Sequence, residues 1–233
     1  FSMKKIVQVA ALLLIFFQPV FLVAQNKSDF VGQAGLNATI YRGVEFEKYY
    51  FRYNGSPYAY SDDFERGYVV YNDVMYKGVL LNLNAHKDQL PIKIPTTGNV
   101  IELDKSLVED FAIGHRKFMA FTLENSVAGI GEGIYELLYV GKDKLLKKNI
   151  KKYNERLQTS EKGIFRYFYS ANRYYIIKDG VAMPISGIKH FAKIYKDKKK
   201  EIKGFIRKNN VRYIDIADKD IIFSEIMEFV DNN

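Results

Sequence analysis

Residues 67–94, GYVVYNDVMYKGVLLNLNAHKDQLPIKI, decide the fold class of this chain. Short runs of Tyr, Val, Leu and Ile recur along this stretch, and each is stopped by Asn72-Asp73, Lys77-Gly78 or residues 86–88. Apolar runs separated by such residues are typical of antiparallel strands joined by tight turns. The stretch therefore predicts a β-sheet at the centre of the protein, and it carries no catalytic motif.

The same pattern continues on both sides, with further turn signals at residues 54–57 and 96–99 and at Asp179-Gly180. The clearest long hairpin runs over residues 134–153, around Gly141-Lys142-Asp143. Its second arm has two interpretations, because apolar residues of the stretch 144–157 also fall at helical spacing. The strand interpretation is favoured.

After Ser186 the apolar spacing becomes helical, first over residues 188–195. Asp197 and Asp218 are placed to cap a second and a third helix. The predicted fold class is α+β, an antiparallel β-meander of roughly eight to ten strands, curved or a partial barrel, followed by a small helical cap. The predicted divisions are a leader at 1–25, an antiparallel β domain at 26–185 and a helical segment at 186–233 packed on it.

The first 25 residues have the layout of a secretory signal peptide. Lys4 and Lys5 precede an apolar run over residues 6–23, and Ala24-Gln25 leads into a polar stretch. The alternative is an N-terminal membrane anchor, but Pro19 and a small residue before the polar switch favour cleavage near Ala24. We therefore expect an exported protein, periplasmic or secreted, with no transmembrane segment after cleavage of the leader.

Composition excludes several kinds of site. The chain of 233 residues has no cysteine, so thiol catalysis, disulfides and thiolate metal sites are ruled out. The three histidines, His86, His115 and His190, are far apart, lack metal-ligand spacing and suit a solvated surface. No nucleophile motif or phosphate-binding glycine loop is present. We therefore predict no enzyme activity, no metal and no cofactor.

Charge is concentrated in one segment. Residues 1–141 carry 13 Lys and Arg against 15 Asp and Glu, residues 142–212 carry 21 against 6, and residues 213–233 carry 1 against 6. Aromatic residues are interleaved with the lysines of the middle segment. Basic and aromatic residues together suit the anionic groups of lipids or glycans, and export argues against nucleic acid. The candidate ligand-binding residues are Lys147, Lys148, Lys151, Lys152, Tyr153, Tyr167, Tyr169, Arg173 and Tyr175.

Several short motifs are scattered over most of the chain. They are NGSPY at 54–58, Gly67, Tyr76 with GVLL at 78–81, YELL at 135–138 with Gly141-Lys142, RYYI at 173–176 and KKKEI at 198–202. With these motifs the chain resembles a group of uncharacterised exported proteins of Bacteroidetes-type bacteria. This resemblance implies export and a β-meander with basic C-terminal helices, and it implies no activity or catalytic residue.

These observations leave three functions open. In the first, a non-catalytic cell-envelope protein binds a partner protein or an anionic lipid or glycan through the basic aromatic segment 142–212. In the second, a periplasmic carrier holds an apolar or lipid ligand in a curved sheet. A hydrolase is a distant third. The purely structural alternative is that the aromatic residues fill a core and the lysines form a solvated face that protects a sheet edge. Whether residues 165–175 form a core or an open groove decides between these interpretations.

Overall fold

The structure, a computed structural model, describes residues 39–158, 163–209 and 219–233. The predicted leader at 1–25 and the predicted helix cap Asp218 lie outside the described residues. Fourteen β-strands occur within the described ranges. They are β1 Val44–Glu45, β2 Tyr53–Asn54, β3 Glu65–Tyr71, β4 Val74–Leu81, β5 Pro91–Lys93, β6 Val100–Glu102, β7 Val108–Ile113, β8 Arg116–Phe121, β9 Gly133–Val140, β10 Lys144–Lys148, β11 Lys151–Gln158, β12 Gly163–Ser170, β13 Arg173–Lys178 and β14 Val181–Ile185.

Helices follow the strands, as the change of apolar spacing predicts. They are α1 Phe191–Ile194, α2 Lys199–Lys208 and α3 Lys219–Asn232, with short 3-10 helices at Thr39–Tyr41, Lys105–Leu107 and Ile188–His190. The expected cap at Asp197 is wrong, because Lys198 holds the N-cap position of α2 without a side-chain hydrogen bond. Within the described ranges, no helix combines the length and the apolar character needed to cross a bilayer.

Eleven strands form one antiparallel sheet in the order β1-β6-β5-β4-β3-β7-β8-β9-β10-β13-β14. The predicted α+β meander with a helical cap is therefore confirmed, although the strands are more numerous than expected. The predicted turns at Asn72-Asp73 and Asp179-Gly180 hold too, with φ of 51° and 61° at the first and 51° and 76° at the second. Left-handed pairs of this kind fit the twist of a tight hairpin. Lys77-Gly78 does not end a strand, because β4 continues through it. The sheet is open, with β1 and β14 at its edges.

Residues 144–158 and 163–178 form the two arms of one long hairpin, which we call the bent hairpin. Its base is the β10–β13 pair of the main sheet, and its outer half, β11 and β12, belongs to a second sheet of order β11-β12-β2. The register continues through the bend, since Lys148 is opposite Arg173 and Lys151 is opposite Ser170. Asn149, which is buried, occupies the corner. The favoured strand interpretation of residues 144–157 is thus correct, with a break at the corner.

Two cores lie along the main sheet. The first lies over β3 to β8, where Phe111 and Phe118 stack with their ring centroids 4.8 Å apart. The second lies between β10, β13, β14 and the helices, where Phe191 meets Phe223 at 5.3 Å. Full burial of one such side chain contributes about 1.5–3 kcal/mol, and burial of this kind stabilises a chain that has no cysteine and therefore no disulfide.

Candidate functional site

The nine predicted ligand-binding residues do not form a single face. Four lie at the base of the bent hairpin within the main sheet, and five lie in its outer half. The base holds Lys147, Lys148, Arg173 and Tyr175, and the outer half holds Lys151, Lys152, Tyr153, Tyr167 and Tyr169.

Lys147 is an interior residue, exposed by only 3%. In the strand register it lies directly between Glu136 on β9 and Tyr174 on β13. This row of cross-strand neighbours runs across the main sheet from the side of the first core to the second core. Its Nζ lies 3.8 Å from Glu136 Oε2, forms a close ion pair with Asp220 of α3 and donates to the Tyr60 hydroxyl at 3.2 Å. We call Tyr60, Glu136, Lys147, Tyr174 and Asp220 the ionic cluster.

The ionic cluster is almost fully hydrogen-bonded by groups from distant parts of the chain. Tyr60 and Asn149 donate to Glu136 Oε2 at 2.5 and 2.8 Å, and Tyr174 donates to Asp220 at 2.8 Å. Burial, followed by the charge of Glu136, raises the pKa of Tyr60, so the phenol stays a neutral donor. Lys147 is therefore a structural cation with no exposed surface to offer a ligand.

Lys148 points to the other face of the sheet and is also paired. Its Nζ lies 2.5 Å from Asp88 and 4.8 Å from the centre of the Tyr135 ring, and Lys105 contacts the same carboxylate at 2.9 Å. Burial by itself raises the pKa of Asp88, but the two lysines together outweigh it and hold that pKa below its usual value. Tyr175 packs edge-on against Tyr135 on this face, at 5.9 Å. Lys147, Lys148 and Tyr175 are therefore packed or paired at the base of the hairpin, and of the four predicted residues there only Arg173 is exposed.

The outer half of the bent hairpin has one packed and one open face. Tyr153 and Phe168 are opposite each other and pack among the rings that we call the aromatic cluster. His86 belongs to it and is half-buried, contrary to the expectation of a solvated histidine. The open face carries Lys152 opposite Tyr169, which is 43% exposed. The aromatic cluster comprises Tyr49, Phe51, Tyr53, His86, Tyr153 and Phe168.

A groove of about 950 Å³ lies on the helical segment and is the strongest candidate for a site. Its floor consists of Ile188, Ala192 and Ile206, which are buried or half-buried. Its rim carries only cations, all exposed. They are Lys189, Lys193, Lys196, Lys199, Lys203 and Arg207, and we call the whole feature the basic groove.

The rim cations stand in two rows because of helical spacing. Lys189, Lys193 and Lys196 follow one another by four and three residues along the 3-10 helix, α1 and the turn after it. The second row repeats every four residues along α2, from Lys199 to Arg207. Residues three or four apart lie on one side of a helix. Within the described parts of the chain, no carboxylate oxygen lies within 4 Å of any of the six cationic groups.

Unpaired like charges at this spacing destabilise a helix by about 0.2–0.5 kcal/mol for each pair. An anion in the groove would relieve that repulsion. The carboxylate of Glu201 on α2 does not line the groove. The arrangement can therefore attract an anion at its rim and cover apolar atoms at its floor.

Sequence reasoning located the right segment and the wrong residues in it. The basic segment 142–212 includes every residue of the basic groove, but none of the nine predicted residues lines it. Two signals were available in the sequence, the run of lysines at 193–203 and its repeat of three and four. The helical pattern indicated a packed cap and gave no reason to expect a groove between two of its elements.

Among the residues that the structure describes, no group of three or more His, Asp or Glu side chains is placed to hold a metal ion. Comparisons of the chain with models of protein families, with curated proteins and with solved structures found no match.

Proposed function

We propose that this protein is an exported, non-catalytic binding protein that holds an anionic ligand at the basic groove. The single observation that carries the proposal is the rim of six exposed cations around an apolar floor. The excess positive charge of residues 142–212 agrees with it, since Lys147 and Lys148 are neutralised inside the fold, whereas no carboxylate of the described residues pairs with a rim cation.

The proposal keeps the first predicted function and moves its site. Of the cations at the hairpin base only Arg173 is exposed, so an electrostatic site there would need Lys147 and Lys148 to leave their partners. Breaking such a buried pair costs about 3–5 kcal/mol. Cations exposed at the groove need no such rearrangement, so they are available to a ligand.

The experiment is a calorimetric titration of the full chain with inorganic tripolyphosphate, a compact polyanion without apolar parts. We expect binding that weakens about tenfold or more between low and high salt, because exposed charges are screened. Reversal of one cation in each row, Lys193→Glu with Lys203→Glu, should abolish it. The matched control is Lys77→Glu with Lys117→Glu, which changes net charge equally at exposed positions of β4 and β8.

The proposal fails if the rim variant binds tripolyphosphate within about twofold of the unmodified chain, or if the control variant loses binding to the same extent. The second result would mean that net charge, rather than the groove, attracts the anion.

Export belongs to the same proposal and is supported by the layout of residues 1–25. We expect the mature chain to begin close to Ala24, which N-terminal sequencing of the protein from the cell envelope or medium would check. A mature chain that still begins at Met3 would contradict cleavage.

A further inference from the structure

We infer that the ligand of the basic groove is a single-chain anionic amphiphile, a molecule with one carboxylate or phosphate head and one hydrocarbon chain. This inference rests on the proposed function and adds the chemical class of the ligand. It combines two properties of the same groove, the cations around its rim and the isoleucine and alanine side chains on its floor.

The apolar floor is the reason to expect a hydrocarbon chain. Ile188 and Ile206 are half-buried and Ala192 is buried, so the floor lies below the exposed lysine heads. Lysine stems are themselves apolar and extend the wall above the floor. A volume of about 950 Å³ is within the range of small-ligand sites, which are mostly apolar with a few polar groups that fix orientation.

A flat membrane surface fits the groove less well than a single chain does. A helix that lies in a bilayer must offer its apolar face to the lipid. In α2 that face is already used, because Ile202 is fully buried and Phe205 stacks on Phe229 at 4.6 Å. A bilayer would meet the lysine heads and would leave the recessed floor uncovered.

A partner protein is also a poorer fit. Stable protein interfaces cover about 800 Å² on each partner and have a buried centre with few charges. Here the apolar part is a narrow floor of three residues enclosed by six cations. Charge complementarity and size together favour a small anionic amphiphile.

The test compares three probes on the full chain by calorimetry, with dodecanoate far below its micelle-forming concentration and 1-dodecanol below its solubility limit. Dodecanoate has both parts of the ligand, butyrate has the same head with only a short chain, and 1-dodecanol has the long chain without the charge. We expect dodecanoate to bind at least about 100-fold more tightly than butyrate, because each buried methylene adds to affinity. We expect it to bind at least about tenfold more tightly than dodecanol, because only the anion meets the rim charges.

A floor variant separates the two parts of the groove. Ile206→Ser should weaken dodecanoate about fivefold or more and leave tripolyphosphate affinity unchanged. Its urea midpoint is measured in parallel, and Ile188→Ser replaces it if α2 loses its packing. An equal loss of affinity for dodecanoate and for tripolyphosphate would contradict the assigned roles of floor and rim.

Each failure has a separate meaning. If dodecanoate binds no more tightly than butyrate while tripolyphosphate still binds, the amphiphile is overturned and the proposed function stands. If dodecanol binds as tightly as dodecanoate and the rim variant still binds tripolyphosphate normally, both the amphiphile inference and the proposed function are overturned. Binding to vesicles of phosphatidylglycerol and phosphatidylcholine that the rim variant abolishes, together with no binding of free dodecanoate, would assign the groove to a membrane surface and overturn the inference.

Discussion

Replacement of Lys147 by methionine should be among the most damaging single changes to this protein. Methionine has a similar length and no charge, so the change removes a cation without creating a large cavity. Lys147 and Glu136 are only 4% and 5% exposed in their side chains, so Glu136 would be left as a buried carboxylate without its cation. Breaking a buried pair in this way costs about 3–5 kcal/mol.

The structure places the expected loss near the lower end of that range, at about 3 kcal/mol. Tyr60 and Asn149 would still donate hydrogen bonds to Glu136, and this offsets part of the loss. The other partner, Asp220, is 31% exposed, so water screens its charge. With a urea dependence of about 2 kcal/mol per molar, the unfolding midpoint should fall by about 1.5 M.

The assay is equilibrium urea unfolding of the full chain followed by far-ultraviolet circular dichroism. Lys152→Met is the matched control, since this exposed lysine on β11 should change stability by less than about 0.5 kcal/mol. Adding Glu136→Gln to Lys147→Met removes the stranded charge, and the two changes should couple by about 1–3 kcal/mol. The structural role of the ionic cluster would be refuted if the free energy of unfolding of Lys147→Met lay within about 0.5 kcal/mol of that of the unmodified chain. It would also be refuted if Lys147→Met and Glu136→Gln showed no coupling.

Two further predictions concern the sheet. Asp88→Asn should lower the free energy of unfolding by about 1–3 kcal/mol at pH 7. The pKa of Asp88 is lowered on folding. The stabilisation from its carboxylate is therefore complete above the pKa of the unfolded chain and is lost as the pH falls through the pKa of the folded protein. The difference between the urea midpoints of the two proteins should therefore be smaller at pH 3 than at pH 7, and a difference that is constant with pH would contradict the ion pairs. Gly67→Ala should destabilise by about 2 kcal/mol or more, because its Cβ would lie 1.7 Å from the carbonyl oxygen of Ala112. Gly187→Ala, where nothing lies within 4 Å of the added atom, is the control for thermal melting, and equal losses would contradict the close approach of β3 and β7.

Local patterns in the sequence predicted the local elements of the fold. The turn at Asn72-Asp73, the antiparallel strands on both sides of it and the helical spacing after Ser186 all recur in the structure. These features depend on residues close together in the chain, where backbone preference and apolar period act directly. The apolar residues of 38–53 predict one or two strands, but the sequence does not show where β1 and β2 pair, because each is two residues long and exists only through a distant partner.

Whether a lysine is buried and paired or exposed to solvent, by contrast, depends on the residues that pack against it in the tertiary structure. Lys147 and Lys152 belong to the same basic run, yet the first is buried against Asp220 from the last helix and the second is exposed. The sequence does not show that β9 and β13 enclose Lys147, since sheet register and helix docking bring residues as far apart as 147 and 220 together.

By itself, then, the sequence determined the α+β class, the main turns and the segment that holds the excess positive charge. Only the tertiary structure decided which of those charges face solvent. It pairs Lys147 and Lys148 inside the fold and leaves the cations from Lys189 to Arg207 around an apolar groove. The physical reason is that a charge is neutralised by partners brought near through long-range packing, which the spacing along one segment does not encode.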